Sequence, residues 1–264
     1  MVNLLIAAAL AAAPIAAPAA QPPEPAMFVV RDSDTTIYVF GTFHVLDGKD
    51  QWFGDKVRDA FEQSDELVLE TLIPERPSDI AAAPAVLRVP SVTASASFLA
   101  TARMAIDAGR SQGMQANNGA DMVLRRQAEA EGKPVEGLET LQFQLNMFNH
   151  MPPVARLATS LRSRAPSAAP PIDRLSQAMG TMQAAWKRGD QSVFVNMLSQ
   201  LKAASPETYQ MMFTERNDRW ADWIRARLRS PGTVFVAVGA GHLAGQDSLL
   251  VHLAERGIPS QRVN

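Results

Sequence analysis

Two segments far apart in the chain share one design. Thr36-Ile37-Tyr38-Val39-Phe40, rich in β-branched and aromatic residues, runs into Gly41-Thr42-Phe43-His44. Thr233-Val234-Phe235-Val236-Ala237-Val238 runs into Gly239-Ala240-Gly241-His242. Both apolar runs predict buried strands. A Gly-x-x-His at the carboxyl end of each puts a pliable turn and an imidazole at the sheet edge where open α/β folds bind ligands. Only four histidines occur, His44, His150, His242 and His252, so two of them in one repeated context is a pattern rather than a scatter.

Around these units the chain orders itself as α/β. Met27 to Arg31 and Thr35 to Phe40 predict a hairpin, with Asp32-Ser33-Asp34 as turn chemistry. Phe53 to Phe61 has helical spacing, and Asp65 to Thr71 is a third strand centred on Leu67, Val68 and Leu69. Strand, helix, strand predicts a right-handed crossover and parallel pairing. Residues 73 to 97 are rich in Pro, Ala and Ser and predict a loop. Helices are expected over Phe98 to Gln115 and Gly119 to Glu131, a short strand over 134 to 138, and a helix from Glu139 to His150. A Ser/Ala/Pro linker at 163 to 171 precedes three or four helices, the last running unbroken from Glu207 to Arg229. A strand over 233 to 238, a helix from about Gln246 to Glu255, Gly257 as its stop signal and a strand near 260 to 263 close the chain. The expected fold is a mixed, largely parallel sheet built from both chain ends, with a mostly helical insertion at about 73 to 230. Residues 21 to 264 read as a single domain.

Composition narrows the function. A net charge of −2 over 264 residues gives no electrostatic footprint for nucleic acid. The absence of cysteine removes thiol nucleophiles, thiolate metal sites, disulfides and a lipoprotein anchor. Residues 1 to 20, with the run Leu4 to Leu10 and the small-residue site Ala17-Pro18-Ala19, predict a signal peptide and hence a periplasmic or secreted protein. The segment has no Lys or Arg near its start, and the plainer reading is a disordered Ala/Pro leader. Pro14 and Pro18 break it, so no stable transmembrane segment is expected.

If the strands are parallel, His44, His242, Glu70 and Glu139 all emerge at one sheet edge. Two imidazoles and two carboxylates suit a divalent ion of the N/O class: zinc, manganese, cobalt or iron. Without thiolates, an open site with a bound water is more natural than a closed structural one. A spare Glu could then act as general base, and the sequence leaves open which glutamate is ligand and which is base. Each residue also has a plain structural reading: capped histidines, a solvated strand end for Glu70, a helix N-terminal charge for Glu139. In the expected helix, Met212, Arg216, Trp220, Ile224 and Leu228 recur at four-residue spacing and share one face. Arg216 is therefore expected on a buried face, where a guanidinium needs a partner. Glu70, Glu139 or a substrate carbonyl would supply it. Asn217 adjoins that face. His150 and His252 read as structural. Gly239 to Gly245 spells G-x-G-x-x-x-G, one residue too long for a dinucleotide loop, and no Walker motif or G-x-S-x-G elbow occurs.

These motifs resemble the GumN/TraB family, which includes the Tiki-type proteases. The matching residues are Gly41-Thr42-Phe43-His44, Leu67 to Glu70, Glu136 to Thr140, Glu215-Arg216-Asn217 and Val238 to Gly245, in family order from about residue 27 to the end. The resemblance implies a fold like that of erythromycin esterase and the haem-binding ChaN proteins. It also implies a metal-dependent hydrolase site built from the two Gly-x-x-His motifs and a Glu. The expected function is an exported metal-dependent hydrolase, a peptidase acting on a peptide or protein. Its metal residues would be His44, His242 and Glu70, with Glu70, Glu139 and Arg216 in the chemistry. The alternative is a binding module that holds a peptide, a metal or haem in the same crevice without turnover. With Tyr38 and Tyr209 as the only tyrosines, a tyrosine haem ligand is poorly supported.

Overall fold

The computed structural model describes residues 23–49, 51–72, 107–150 and 171–263. The leader over 1 to 20, the loop over 73 to 97, the first part of the helix expected from Phe98, and the linker up to residue 170 lie outside these residues. A mixed sheet of six strands runs through the molecule in the order β4-β3-β5-β2-β1-β6. The strands are β1 Met27–Arg31, β2 Thr35–Thr42, β3 Glu66–Thr71, β4 Val135–Glu139, β5 Gly232–Gly239 and β6 Gln261–Arg262. β2, β5, β3 and β4 are parallel, while β1 is antiparallel to both β2 and β6. The hairpin turn closes as expected, with Asp32 Oδ1 accepting from the Asp34 and Thr35 amides at 3.2 and 2.9 Å.

The central strands are apolar throughout because both faces are covered. On one face, Phe40, Phe61, Phe235, Trp52 and Trp186 share a core. On the other, Val39, Val68, Val236, Trp220, Ile224 and Leu253 share a second. Each such large side chain contributes roughly 1.5–3 kcal/mol on burial, so the pairing of β2 with β5 is fixed by its flanking layers as much as by its ladder. Trp186, from the helix Pro171–Lys187, donates its indole N–H to the Gly41 carbonyl at 2.7 Å. That bond ties the helical part to the carboxyl edge of β2.

The other helices are α1 Asp55–Glu62, α2 Ala120–Ala130, α3 Leu141–His150, α5 Ser192–Ala204, α6 Pro206–Tyr209, α7 Glu215–Arg227 and α8 Leu249–Glu255, with Pro171–Lys187 as α4. Three differ from the sequence reading for visible reasons. The helix expected from Glu207 to Arg229 is interrupted by a π-turn at Gln210–Thr214, whose extra residue leaves no trace in apolar spacing. The final helix begins at Leu249 rather than near Gln246 because Ser248 caps it, its hydroxyl accepting from the Val251 amide. Glu139 ends β4 instead of opening a helix, and α3 starts two residues later. No helix among the described residues is long and apolar enough to cross a membrane.

Candidate functional site

The four parallel strands end together, so Thr42, Thr71, Glu139 and Gly239 form one edge. His44 and His242 follow two of those ends, and Glu70 and Glu139 stand at the other two. Arg216 reaches this edge from α7 and lies between the carboxylates. Its Nε donates to both oxygens of Glu139 at 3.0 Å, and its Nη2 donates to Glu70 Oε2 at 2.8 Å. Nη1 donates to the Met212 carbonyl at 3.3 Å and stands 3.2 Å from His242 Nε2. The guanidinium also lies 4.6 Å from the centre of the Trp220 ring. It is 4% exposed, and its charge is tolerable there only because both glutamates answer it. Burial works against the cation, but Glu70 and then Glu139 raise its pKa above the ordinary arginine value.

His242 is held through its other nitrogen. Nδ1 is 2.7 Å from Asn217 Oδ1. The Asn217 amide is oriented by its Nδ2, which donates to the Asp247 carbonyl at 2.6 Å. With the amide oxygen turned toward the ring, Nδ1 must carry the proton and Nε2 the lone pair. Burial pushes the His242 pKa down to about 3, with the neighbouring Arg216 and His44 acting in the same sense. The ring is therefore neutral near pH 7 and accepts from Arg216. Rings of Phe213 and Trp220, at 4.9 and 4.4 Å, fix its plane.

His44 sits in a different environment. Its side chain is 57% exposed, and Nδ1 is 3.3 Å from Asp121 Oδ1. Burial would pull its pKa down, but the ring is open to water. The acidic neighbours, Asp121 first and Glu70 second, raise the pKa to about 9. The loop is held against α2 by the Ala120 amide, which donates to the Phe43 carbonyl at 3.0 Å. Gly119 permits that approach, since a Cβ there would come within 2.3 Å of the His44 carbonyl oxygen.

Glu70 faces the histidines. Its Oε1 accepts from the Gly239 amide and lies 3.8 Å from His242 Nε2. Burial alone would raise its pKa, yet the cationic surroundings and the Gly239 amide hold it down to about 2. His242, Arg216 and His44 all act in that sense. Glu139 faces the opposite way, with both oxygens on Arg216 and longer contacts to Arg219 Nη2 and Gln144 Nε2, each at 3.4 Å. The two glutamates, interchangeable in sequence, thus differ in the fold: one looks to the imidazoles, the other clamps the guanidinium.

Sequence reasoning missed Gly119, Asp121 and Asp247, which carry no local motif. Asn217 was legible as the neighbour of Arg216 on the buried face, though its bond to His242 was not. Of the remaining histidines, His252 is largely buried in α8, within 3.5 Å of Asp218 and 3.4 Å of Glu255. His150 is the last residue of α3.

Among the described residues, no group of three or more His, Asp or Glu stands arranged to hold a metal ion. Arg216 instead bonds Glu70 Oε2 and approaches the His242 lone pair. The donor set suits a divalent ion in residue type. A Cβ at Gly239 would lie 3.0 Å from Glu70 Oε1, 3.3 Å from His44 Nε2 and 3.7 Å from His242 Cδ2. The three groups lie close around Gly239, whose missing side chain permits that approach. His242, fixed in the ligating tautomer, and ionised Glu70 are donors such an ion takes, while His44 would have to release the proton its acidic neighbours hold. A model of the TraB/PrgY/gumN family matches the chain over residues 26–99 and 89–262. No curated protein and no solved structure matches.

Proposed function

For a chain that belongs to the TraB/PrgY/gumN family, we propose a metal-dependent hydrolase that cleaves peptide bonds at the carboxyl edge of its sheet. The observation that supports this reading is the gathering of His44 Nε2, Glu70 Oε1 and the His242 ring around Gly239 at the carboxyl edge of the sheet. His44, His242 and Glu70 would hold the ion, which when bound polarises a carbonyl and makes water nucleophilic near neutral pH. Zinc, manganese, cobalt and iron all suit the donor set.

The protein's own groups do the rest. Asn217 and the Asp247 carbonyl hold the His242 tautomer. Glu139 holds Arg216, and Arg216 keeps Glu70 ionised. Nη1 of Arg216 donates to His242 Nε2 and would meet a carbonyl oxygen only once an ion took that lone pair. The signal peptide read in residues 1 to 20 would place the enzyme in the periplasm or the exterior. Cleavage of an unbiased peptide library tests the reading. Products should appear with a divalent metal, vanish with chelator and vanish in His242→Ala. A protein that binds metal or peptide tightly and cleaves no member of the library would establish the binding-module alternative.

A further inference from the structure

The two histidines at the edge are not held alike. His242 has its Nδ1 on Asn217 and its plane fixed by Phe213 and Trp220. The His44 side chain is 57% exposed, so packing does little to fix its ring. Asp121 is the group that meets it. This residue stands in the first turn of α2, where the helix dipole favours a carboxylate whose oxygens water could serve. Yet Oδ1 is shut off from water and makes no hydrogen bond of good geometry within the protein. It lies 3.3 Å from His44 Nδ1. A buried carboxylate oxygen is destabilising until a donor reaches it, and a small turn of the exposed ring completes this one. Nε2, on the other side of the ring, lies toward β5, where a Cβ on Gly239 would stand 3.3 Å from it. The imidazole thus bridges α2 and the site. The Ala120 amide docks α2 on the same loop through the Phe43 carbonyl, so the backbone presents carboxylate and ring to each other.

We propose that Asp121 is the positioning residue of His44: its Oδ1 accepts the Nδ1 proton and so offers Nε2 to the sheet edge. Both histidines are then held through Nδ1, one by an amide oxygen on α7 and one by a carboxylate on α2. Nε2 is left as the nitrogen free to act, as a ligand or as an acceptor for a proton. The inference rests on the metal-dependent reading for its consequence alone, that the nitrogen offered is a metal ligand. When Nε2 takes an ion, the proton on Nδ1 stays with Asp121. Asp121 acts through the ring and needs no contact with ion or substrate.

The test uses the wild type, Asp121→Asn and Asp121→Ala, each as the full chain. Crystal structures with EDTA read the ring, and competition against a chromophoric chelator reads zinc affinity. An amide oxygen can replace the carboxylate oxygen, as Asn217 shows at His242. D121N should therefore keep the His44 ring in place, with the amide oxygen on Nδ1, and bind zinc close to the wild-type affinity. D121A should let the ring turn away from Gly239 and lose about 10- to 100-fold in zinc affinity, the usual effect of removing such a partner. An unmoved ring with wild-type affinity in D121A overturns the positioning role. So does a D121N affinity as low as that of D121A, since charge rather than direction would then be the contribution. Should D121A fail to fold, D121N decides alone, and an amide oxygen away from Nδ1 overturns the role. The two readouts fail separately. A wild type that binds no zinc sinks the metal-dependent hydrolase, while a ring held in wild type and D121N and released in D121A leaves the positioning role standing.

Discussion

At the scale of single residues, Arg216 is the side chain on which the edge depends. Replacing it with Met leaves Glu70 and Glu139 without their common cation, and breaking a buried pair of this kind costs roughly 3–5 kcal/mol. Arg216→Lys should recover only part of that, because an ammonium cannot address both carboxylates as the planar fork does. Urea unfolding in the presence of chelator measures both, and a wild-type midpoint for Arg216→Met would refute the assignment. Asp247 supports a pH prediction. Lys202 and Tyr209, at 2.7 and 2.9 Å, hold its carboxyl below the ordinary value of 3.8. A depressed pKa gives stability that is present above 3.8 and lost as pH falls through the folded value. Asp247→Asn should cost about 1 kcal/mol at pH 7, and the gap to wild type should close as melts are repeated toward pH 2. The Tyr209 phenol, pushed up to about 12 by burial and by Asp247, should ionise closer to its usual value in that variant. That His44, Glu70, Glu139, His242 and Arg216 meet at one edge was legible in sequence, because motif position and helical spacing are local signals. The supporting Asp121 and Asp247 were not, since their roles come from chain crossings that no spacing encodes.

At the scale of elements, two local departures from ideal geometry shape the site. The π-turn at Gln210–Thr214 places Tyr209 at Asp247 and the Met212 carbonyl at Arg216 on one rod. Deleting Met211 should convert it to α-helix and turn α6 by about 100° relative to α7. The Tyr209 bond would be lost, and the melting temperature should fall. An unchanged melt would mean that the turn is incidental. The expectation of one unbroken helix failed here because a single inserted residue does not disturb the apolar stripe from Arg216 onward. The other departure is the approach of α2 to the His44 loop. Gly119→Ala would drive a Cβ against the His44 carbonyl, and overpacking of this type costs about 1–3 kcal/mol. The urea midpoint of G119A checks it. The strands were easier to read than the helices, since buried parallel strands appear as continuous apolar runs whatever lies around them.

At the scale of the whole molecule, both chain ends meet at one edge, and every group of the candidate site comes from a different part of the sequence. Residues 44, 70, 139, 216 and 242 sit on five elements or their ends, so the site exists only in the assembled fold. That gathering was legible from the two repeated strand-and-turn units. The parallel order of β2, β5, β3 and β4 supplies the reason. The Arg216 guanidinium stands between the two carboxylates, as its place on the buried helix face led one to expect, and what the sequence hid was its approach to His242 Nε2. The proposed metal would have to compete with Arg216 for Glu70 and for His242 Nε2. The most direct measurement is the metal content of protein purified without chelator, for the wild type, His44→Ala, His242→Ala and Glu139→Gln. The account predicts about one divalent ion per wild-type chain, essentially none in either histidine variant while both remain folded, and retained metal in Glu139→Gln, whose carboxylate faces Arg216 rather than the imidazoles. Wild-type metal content in either histidine variant would contradict it.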